Sequence, residues 1–333
     1  MTTRLPSRAA ARAASAPTSR RTLLAAGLGL ATWLGTRPVR AAPKTLRIGY
    51  QKYGTLVLLK SRGSLEKALA GQGVAVTWSE FPSGPPLLEA LNAGAIDFGS
   101  AGEAPPIFAQ AASPELRYVA AEPPAPRGEA ILVPKDSPIR TVADLRGKTI
   151  ALNKGSNVHA LLLRALEKAG VPYEAVTTAF LAPADANAAF LRGSVDAWVI
   201  WDPYQAAAER ATGARTLTTA EGLAPNRQFY LASRTLTETA PGLVVAVLDA
   251  IAGIDAWAKD NTAAVAAELA PSVGIPAPVL AVALERQSYG VAPLDAEAVA
   301  EQQRIADSFH ALKLIPRPIR VSDAVWTPPA RNG

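Results

Sequence analysis

Apolar residues in this chain recur in short strand-like runs set between stretches with helical spacing, and one such arrangement occurs twice. Leu91-Asn92-Ala93-Gly94-Ala95-Ile96-Asp97-Phe98 and Leu191-Arg192-Gly193-Ser194-Val195-Asp196-Ala197-Trp198 share one order. A helical stretch ends, a glycine follows, and three residues past the glycine an aspartate stands between apolar residues. Both helical stretches begin near proline, at Pro85-Pro86 and at Pro183. Proline suits a first helical turn because its missing N–H had no partner there, and glycine closes a helix in the left-handed conformation. The runs that follow, 95–99 and 195–201, read as buried strands. The same unit about 100 residues apart predicts two α/β lobes of similar build, with a small-molecule cleft between them. Asp97 and Asp196 then read as structural residues rather than as a carboxylate pair.

The remaining pattern fills in the lobes. Residues 46–50 and 74–78 read as strands around a helix at 56–69. Ser83 is the candidate N-cap of the helix that begins at Pro85. A strand at 116–120 follows a helix opened by Pro105-Pro106. Residues 130–133 form a strand that crosses between lobes. A short helix at 141–147 and a strand at 149–152 lead to a helix at 156–169. Asp202-Pro203 reads as N-cap and first turn of another helix, and the strand 229–232 carries the chain back. From Pro241 onward the pattern is helical, and no stretch after the N-terminal segment is long enough to span a membrane. Strands alternating with helices predict a mainly parallel, doubly wound sheet in each lobe. The two crossings make a two-strand hinge. The expected organisation is 1–41 as an export leader, 44–130 as the first part of lobe I, 131–228 as lobe II, and 229–333 as the return to lobe I with C-terminal helices.

Composition changes this picture at the N-terminus. The 333-residue chain carries 34 basic and 28 acidic residues, a net charge of +6, with a pI near 9.6. Residues 1–41 hold seven arginines and no acid, which leaves 27 basic against 28 acidic residues beyond them. The basicity belongs to the leader, and a nucleic-acid reading loses its support. Ser19-Arg20-Arg21-Thr22-Leu23-Leu24 resembles a twin-arginine export motif. The apolar run 23–34 is shorter than the ~20 residues needed to span a bilayer, and Val39-Arg40-Ala41 offers a cleavage site. The chain has no cysteine and two histidines, His159 and His310. Disulfides, thiolate chemistry and a histidine-rich metal site are therefore excluded.

In a doubly wound sheet the ligand sits beyond the C-terminal ends of the strands. Free N–H groups at helix starts there favour anions, by about 0.3–1 kcal/mol per charge–dipole contact. Gly155-Ser156-Asn157-Val158-His159 is either an anion cradle or a plain capped helix start. His159 either donates to an anion or packs. Trp201 either walls the cleft, with one N–H donor, or belongs to the core. Glu103 at a helix start reads as a capping residue rather than an acid catalyst. Gln51 can donate and accept without charge. No Ser-His-Asp order is visible.

These loops carry a resemblance. Arg47-Ile48-Gly49-Tyr50-Gln51-Lys52, Glu80-Phe81-Pro82-Ser83-Gly84-Pro85, Pro105-Pro106-Ile107-Phe108-Ala109-Gln110, Lys154-Gly155-Ser156 with His159, and Ile200-Trp201-Asp202-Pro203-Tyr204 resemble the aliphatic sulfonate-binding proteins of ABC importers. The resemblance runs from about Leu46 to Trp326. It implies the two-lobe type II periplasmic binding fold, a small anionic organosulfonate as ligand, an inner-membrane ABC permease as partner, periplasmic location, a monomer, no cofactor, no metal and no catalysis. The candidate contacts are Gln51, Ser83, Gly102, Glu103, Ser156, Asn157, His159, Trp201, Asp202 and Tyr230, with Lys52 or Arg127 as possible helpers. The chain departs from the family at Ala101 and Glu103, where threonine and aspartate are usual, and at Asn157-Val158, where serines are. Taurine, aromatic sulfonates, sulfate esters and nitrate remain alternative ligands. An enzyme on this fold of the thiamine-precursor or porphobilinogen-deaminase kind needs cysteine, and a regulator needs a DNA-binding helix-turn-helix in place of the leader.

Overall fold

The computed structural model describes residues 43–329; the predicted leader lies outside the described residues. The strands are β1 (Thr45–Tyr50), β2 (Ala75–Glu80), β3 (Phe98–Ala101), β4 (Leu116–Ala121), β5 (Glu129–Val133), β6 (Thr149–Leu152), β7 (Thr177–Phe180), β8 (Ala197–Trp201), β9 (Arg215–Thr219) and β10 (Phe229–Ser233). They form two sheets, in the orders β2-β1-β3-β10-β4 and β7-β6-β8-β5-β9. The two orders match position by position. In each sheet the fourth strand runs antiparallel to both neighbours, β10 in the first and β5 in the second. The other pairs are parallel.

The repeated aspartates set this geometry. The Asp97 N–H donates to Arg47 O at 2.7 Å, and the Arg47 N–H donates back to Asp97 Oδ2 at 2.9 Å. In the second sheet the Asp196 N–H donates to Thr149 O at 2.8 Å, and the Thr149 N–H donates to Asp196 Oδ2 at 2.8 Å. Each aspartate thus satisfies both backbone groups of one residue on the neighbouring parallel strand, just where that pairing begins. The Arg47 guanidinium also pairs with Asp97, at 2.6 Å. Gly94 and Gly193, at φ 69° and 67°, close the helices before these strands.

Several elements differ from the sequence reading. The helix expected over 56–69 is two, Thr55–Arg62 and Ser64–Ala70, because Gly63 takes φ 59° between them. β7 and β9 are edge strands rich in threonine and half exposed, so they lack the apolar run that marks a buried strand. The segment 141–147 holds only a 3₁₀ turn, Val142–Leu145, fixed by a capping box between Thr141 and Asp144. The strand at 130–133 does not itself cross; it is β5, interior to the second sheet. The crossings are the segments 122–128 and 220–228. They bond to each other through Glu122 N to Gln228 O at 2.9 Å, Ala125 N to Pro225 O at 3.0 Å and Ala220 N to Pro126 O at 3.1 Å. The hinge expected as two strands is therefore two irregular segments, since Pro123, Pro124, Pro126 and Pro225 have no N–H to give to a ladder.

One face of the first sheet packs Ile48, Phe98 and Tyr230 under Leu243, Val244, Val247 and Ile251 of the helix Pro241–Asp260. That 20-residue helix is long and apolar enough, by length and composition, to cross a membrane, which corrects the expectation that no such stretch exists. Here its apolar side covers a sheet. The opposite face holds Leu87, Ile107, Tyr118 and Phe309. The second sheet has its own core on each side.

Replacing Asp196 by alanine strands the Thr149 amide without its side-chain acceptor. A loss of about 1–3 kcal/mol is expected, read as a lower urea midpoint with unchanged slope.

Candidate functional site

The cleft opens where the C-terminal ends of β1, β3, β6 and β8 face one another, at the crossings. The space between its walls, open solvent included, is about 800 Å³. From the first lobe come Gln51 and Tyr53 beyond β1, Gly84 at a helix start, and Gly102 with Pro105 beyond β3. From the second come Ser156, Asn157 and Trp201. Gln51, Gly102, Ser156, Asn157 and Trp201 were candidates, and the fold brings them together.

The donors are mostly neutral. Gln51 Nε2 donates to Ser100 O at 3.1 Å, which orients its amide. Trp201 ends β8, is half-buried, and meets Tyr204 edge-on at 6.4 Å. The helix Asn157–Lys168 starts at Ser156 without a side-chain cap. The Ser156 hydroxyl turns back to Asn153 O at 2.7 Å instead. In the first turn the His159 N–H donates to Ser156 O at 3.0 Å; the amides before it lie ahead of the i−4 ladder, and Ser156 and Asn157 line the cleft. The lobe I helices Gly84–Asn92 and Ala104–Ala112 carry two prolines each in their first turns, so they offer fewer N–H groups.

Asn157 joins the lobes. Its Oδ1 accepts from the Ala104 N–H at 3.1 Å, and its Nδ2 donates to Asn226 Oδ1 at 3.0 Å. A Cβ on Gly102 would lie 2.1 Å from Asn157 Nδ2. The contact requires that residue 102 have no side chain. On the other side of the cleft Arg286 spans the lobes, with Nη2 2.7 Å from Glu209 Oε2 and Nη1 3.5 Å from Asp202 Oδ2. Its charge is thereby committed to two carboxylates.

The other candidates take different places. Ser83 is buried at the N-cap position, with no capping bond from its side chain. Glu103 is buried behind the wall, where its Oε1 accepts from the Arg227 N–H at 2.9 Å; burial pushes its carboxyl up to about 7. His159 is fully buried. Its Nδ1 accepts from the Gly155 N–H at 3.4 Å, so the ring proton is on Nε2, 3.0 Å from the Tyr173 hydroxyl. Burial, reinforced by Lys154, lowers its pKa to about 4. It is a neutral support for the turn at Gly155 rather than a donor to a ligand. Asp202 is fully buried; its Oδ1 accepts from the Ala206 N–H at 3.1 Å, while Pro203 occupies the N-cap position of the helix Tyr204–Thr212. Tyr230 lies inside the first sheet with its hydroxyl on Glu122 Oε1. Lys52 pairs with Glu80 at 3.7 Å, and Arg127 donates to Glu285 O at 3.3 Å, so both serve elsewhere.

The sequence reading missed Tyr53, Glu122, Asn226, Gln228, Arg286 and Gln287, which also line the cleft. Glu122-Pro123 follows β4, where the strand-end rule places a ligand, yet nothing local in the sequence marks Glu122 as facing inward. Arg286 ends a C-terminal helix, and no motif points from there to the cleft. Among the described residues no cluster of three metal-ligating side chains occurs.

Residues 69–264 match the family model described as NMT1/THI5 like. A curated protein of Escherichia coli (strain K12) named for binding aliphatic sulfonates is 45% identical over 88% of this chain and 92% of its own length. The alkanesulfonate-binding protein SsuA from Xanthomonas axonopodis pv. citri, bound to MOPS, superposes with TM-score 0.82 at 44% identity, over 86% of this chain and 99% of that one. The periplasmic aliphatic sulphonate binding protein SsuA from Escherichia coli superposes with TM-score 0.79 at 45% identity, over 88% and 95%.

Gly102→Ala displaces Asn157 and breaks both of its hydrogen bonds. At about 1 kcal/mol each, that is about 2 kcal/mol, up to roughly a thirtyfold loss of ligand affinity. In an Asn157→Ala background the same substitution costs little. A double-mutant cycle by titration calorimetry measures this coupling.

Proposed function

Because the chain belongs to the NMT1/THI5-like family and, within it, to the aliphatic sulfonate-binding proteins of ABC importers, we propose that its cleft captures an aliphatic sulfonate and delivers it to an inner-membrane permease. The protein is a periplasmic solute receptor, not an enzyme. The observation that carries the ligand assignment is the cleft's charge economy. Its wall offers amides, hydroxyls, helix-start N–H groups and an indole, while Arg286 is already paired.

A sulfonate is anionic throughout the physiological pH range and presents three acceptor oxygens. Neutral donors and a helix start can hold it without a dedicated countercharge. In this reading the headgroup meets the Ser156–Asn157 helix start and Gln51, and Trp201 covers the alkyl portion. Glu103, His159, Asp202 and Tyr230 support these contacts from behind. Export by the twin-arginine route, on Ser19-Arg20-Arg21, and a monomeric state complete the proposal.

Calorimetry of residues 42–333 against ethanesulfonate, octanesulfonate, taurine, MOPS, nitrate and sulfate tests it. Alkanesulfonates are expected to bind near 1 μM, about −8 kcal/mol, with nitrate and sulfate silent. Strong binding of taurine or nitrate alone would move the ligand to that class. Trp201→Ala is expected to cost about 2 kcal/mol of binding, roughly thirtyfold in Kd, with the melting temperature unchanged.

A further inference from the structure

Among the described residues Glu122 is the one carboxyl lining the cleft, and its surroundings dictate its charge. It follows β4 at the first crossing, where its N–H donates to Gln228 O at 2.9 Å. Its Oε1 meets the Tyr230 hydroxyl and lies 3.3 Å from Thr55 Oγ1. Thr55 Oγ1 is also 2.6 Å from Asp255 Oδ1. Asp255 Oδ2 accepts from the Gly290 N–H at 3.2 Å and the Val291 N–H at 3.0 Å. Two buried carboxyl groups are thus linked through a single threonine hydroxyl.

Counting protons assigns the charges. The Thr55 hydroxyl has one proton, and the shorter contact gives it to Asp255. With two backbone amides added, Asp255 has three donors and is satisfied as the ion. Glu122 accepts from the Tyr230 hydroxyl but has no backbone donor on its carboxyl among the described residues, so it is less well satisfied as an ion than Asp255, and a second negative charge beside Asp255 in a buried site is unfavourable. The proton therefore belongs to Glu122. Burial first, and Asp255 second, push its carboxyl up to about 8. The other groups facing it do not reverse this. Tyr53, Tyr230 and Tyr289 are all held above the ordinary tyrosine value by burial. Arg227 reaches only the Glu122 backbone oxygen, at 3.4 Å. Arg286 is engaged by Asp202 and Glu209. Oε2 has no partner among the described residues and is the oxygen left to the cleft.

We propose that Glu122 is a specificity-determining residue that must be neutral for the cleft to accept an anion, so that its ionisation sets the alkaline limit of sulfonate binding. This rests on the sulfonate reading above. Protonated, Glu122 adds a polar, uncharged surface to the cleft. Ionised, it sets a negative charge beside the headgroup. By linkage, an anion in the cleft raises the proton affinity of Glu122, so binding near its midpoint takes up a proton.

The test is calorimetry with octanesulfonate from pH 6.5 to 9.5 in buffers that carry no sulfonate. At pH 8 it is repeated in phosphate and in Tris, whose different ionisation heats report proton uptake. For the wild type, Kd is expected to be level below about pH 7 and to rise toward about tenfold per pH unit above pH 8, with a fraction of a proton taken up at pH 8. Glu122→Gln, which keeps a neutral side chain of the same shape, is expected to bind equally from pH 6.5 to 9.5 and to take up none. Wild-type binding that is strong but level with pH, or an equal alkaline loss in Glu122→Gln, overturns the role of Glu122 and leaves the receptor reading standing. Absence of binding at every pH overturns both. If the variant does not fold, proton uptake by the wild type decides: uptake near pH 8 supports the assignment and none removes it.

Discussion

The reciprocal bond between an aspartate and one residue of the neighbouring strand underlies the rest of this molecule. Parallel pairing is slanted and somewhat weaker per residue than antiparallel pairing, and a slip by one residue would turn every side chain to the wrong face. Asp97 on Arg47, and Asp196 on Thr149, fix that register at the first position of the central parallel pair in each sheet. Once β1 and β3 are in step, Gln51 and Gly102 come out at one edge. Once β6 and β8 are in step, Ser156 and Trp201 do likewise. The cleft is the meeting of these two edges, so its geometry is inherited from two carboxylates that do not line it.

How the cleft treats charge follows from where its ionic groups are spent. An unpaired guanidinium would hold a sulfonate strongly but would itself be costly to leave buried after release. Here Arg286 is partnered across the cleft by Asp202 and Glu209. It contributes to bringing the lobes together rather than to neutralising the ligand. Burial pushes the Asp202 carboxyl up to about 6, and Arg286 opposes that rise, so the pair is ionic at neutral pH. A receptor that must give up its cargo gains from this arrangement, since helix-start amides and side-chain amides hold an anion with moderate strength and need no new partner when it leaves.

Much of the fold was legible because it depends on local rules. Proline starts, glycine ends and apolar runs located most strands and helices, and the twofold motif announced two similar lobes. The edge strands β7 and β9 escaped because threonine-rich, half-exposed segments carry no apolar period. The site was legible only to the level of which loops reach the cleft. Strand ends identify a loop but not the face each side chain takes. Gln51, Ser156, Asn157 and Trp201 face inward, while Glu103, His159, Asp202 and Tyr230, equally close to strand ends or helix starts, turn into the protein. In helices side chains lean back toward the N-terminus, and His159 accordingly folds onto the turn at Gly155 rather than out to a ligand. Arg286 escaped for a different reason. Its position depends on how a C-terminal helix returns across both lobes, a long-range fact with no local signature.

The crossings belong to the cleft wall as well as to the connection between the sheets. Proline removes the donors that would stiffen segments 122–128 and 220–228 into a ladder, so only a few bonds tie them together. Glu122 and Gln228 share one of these bonds, and both line the cleft. A ligand placed between them therefore touches the hinge as well as the lobes. Asn157 links the same region to the helix start of the opposite lobe through Ala104 and Asn226. Residues that line the cleft are thus bonded directly to the segments that join the two sheets, so the cleft wall and the crossings form one hydrogen-bonded unit.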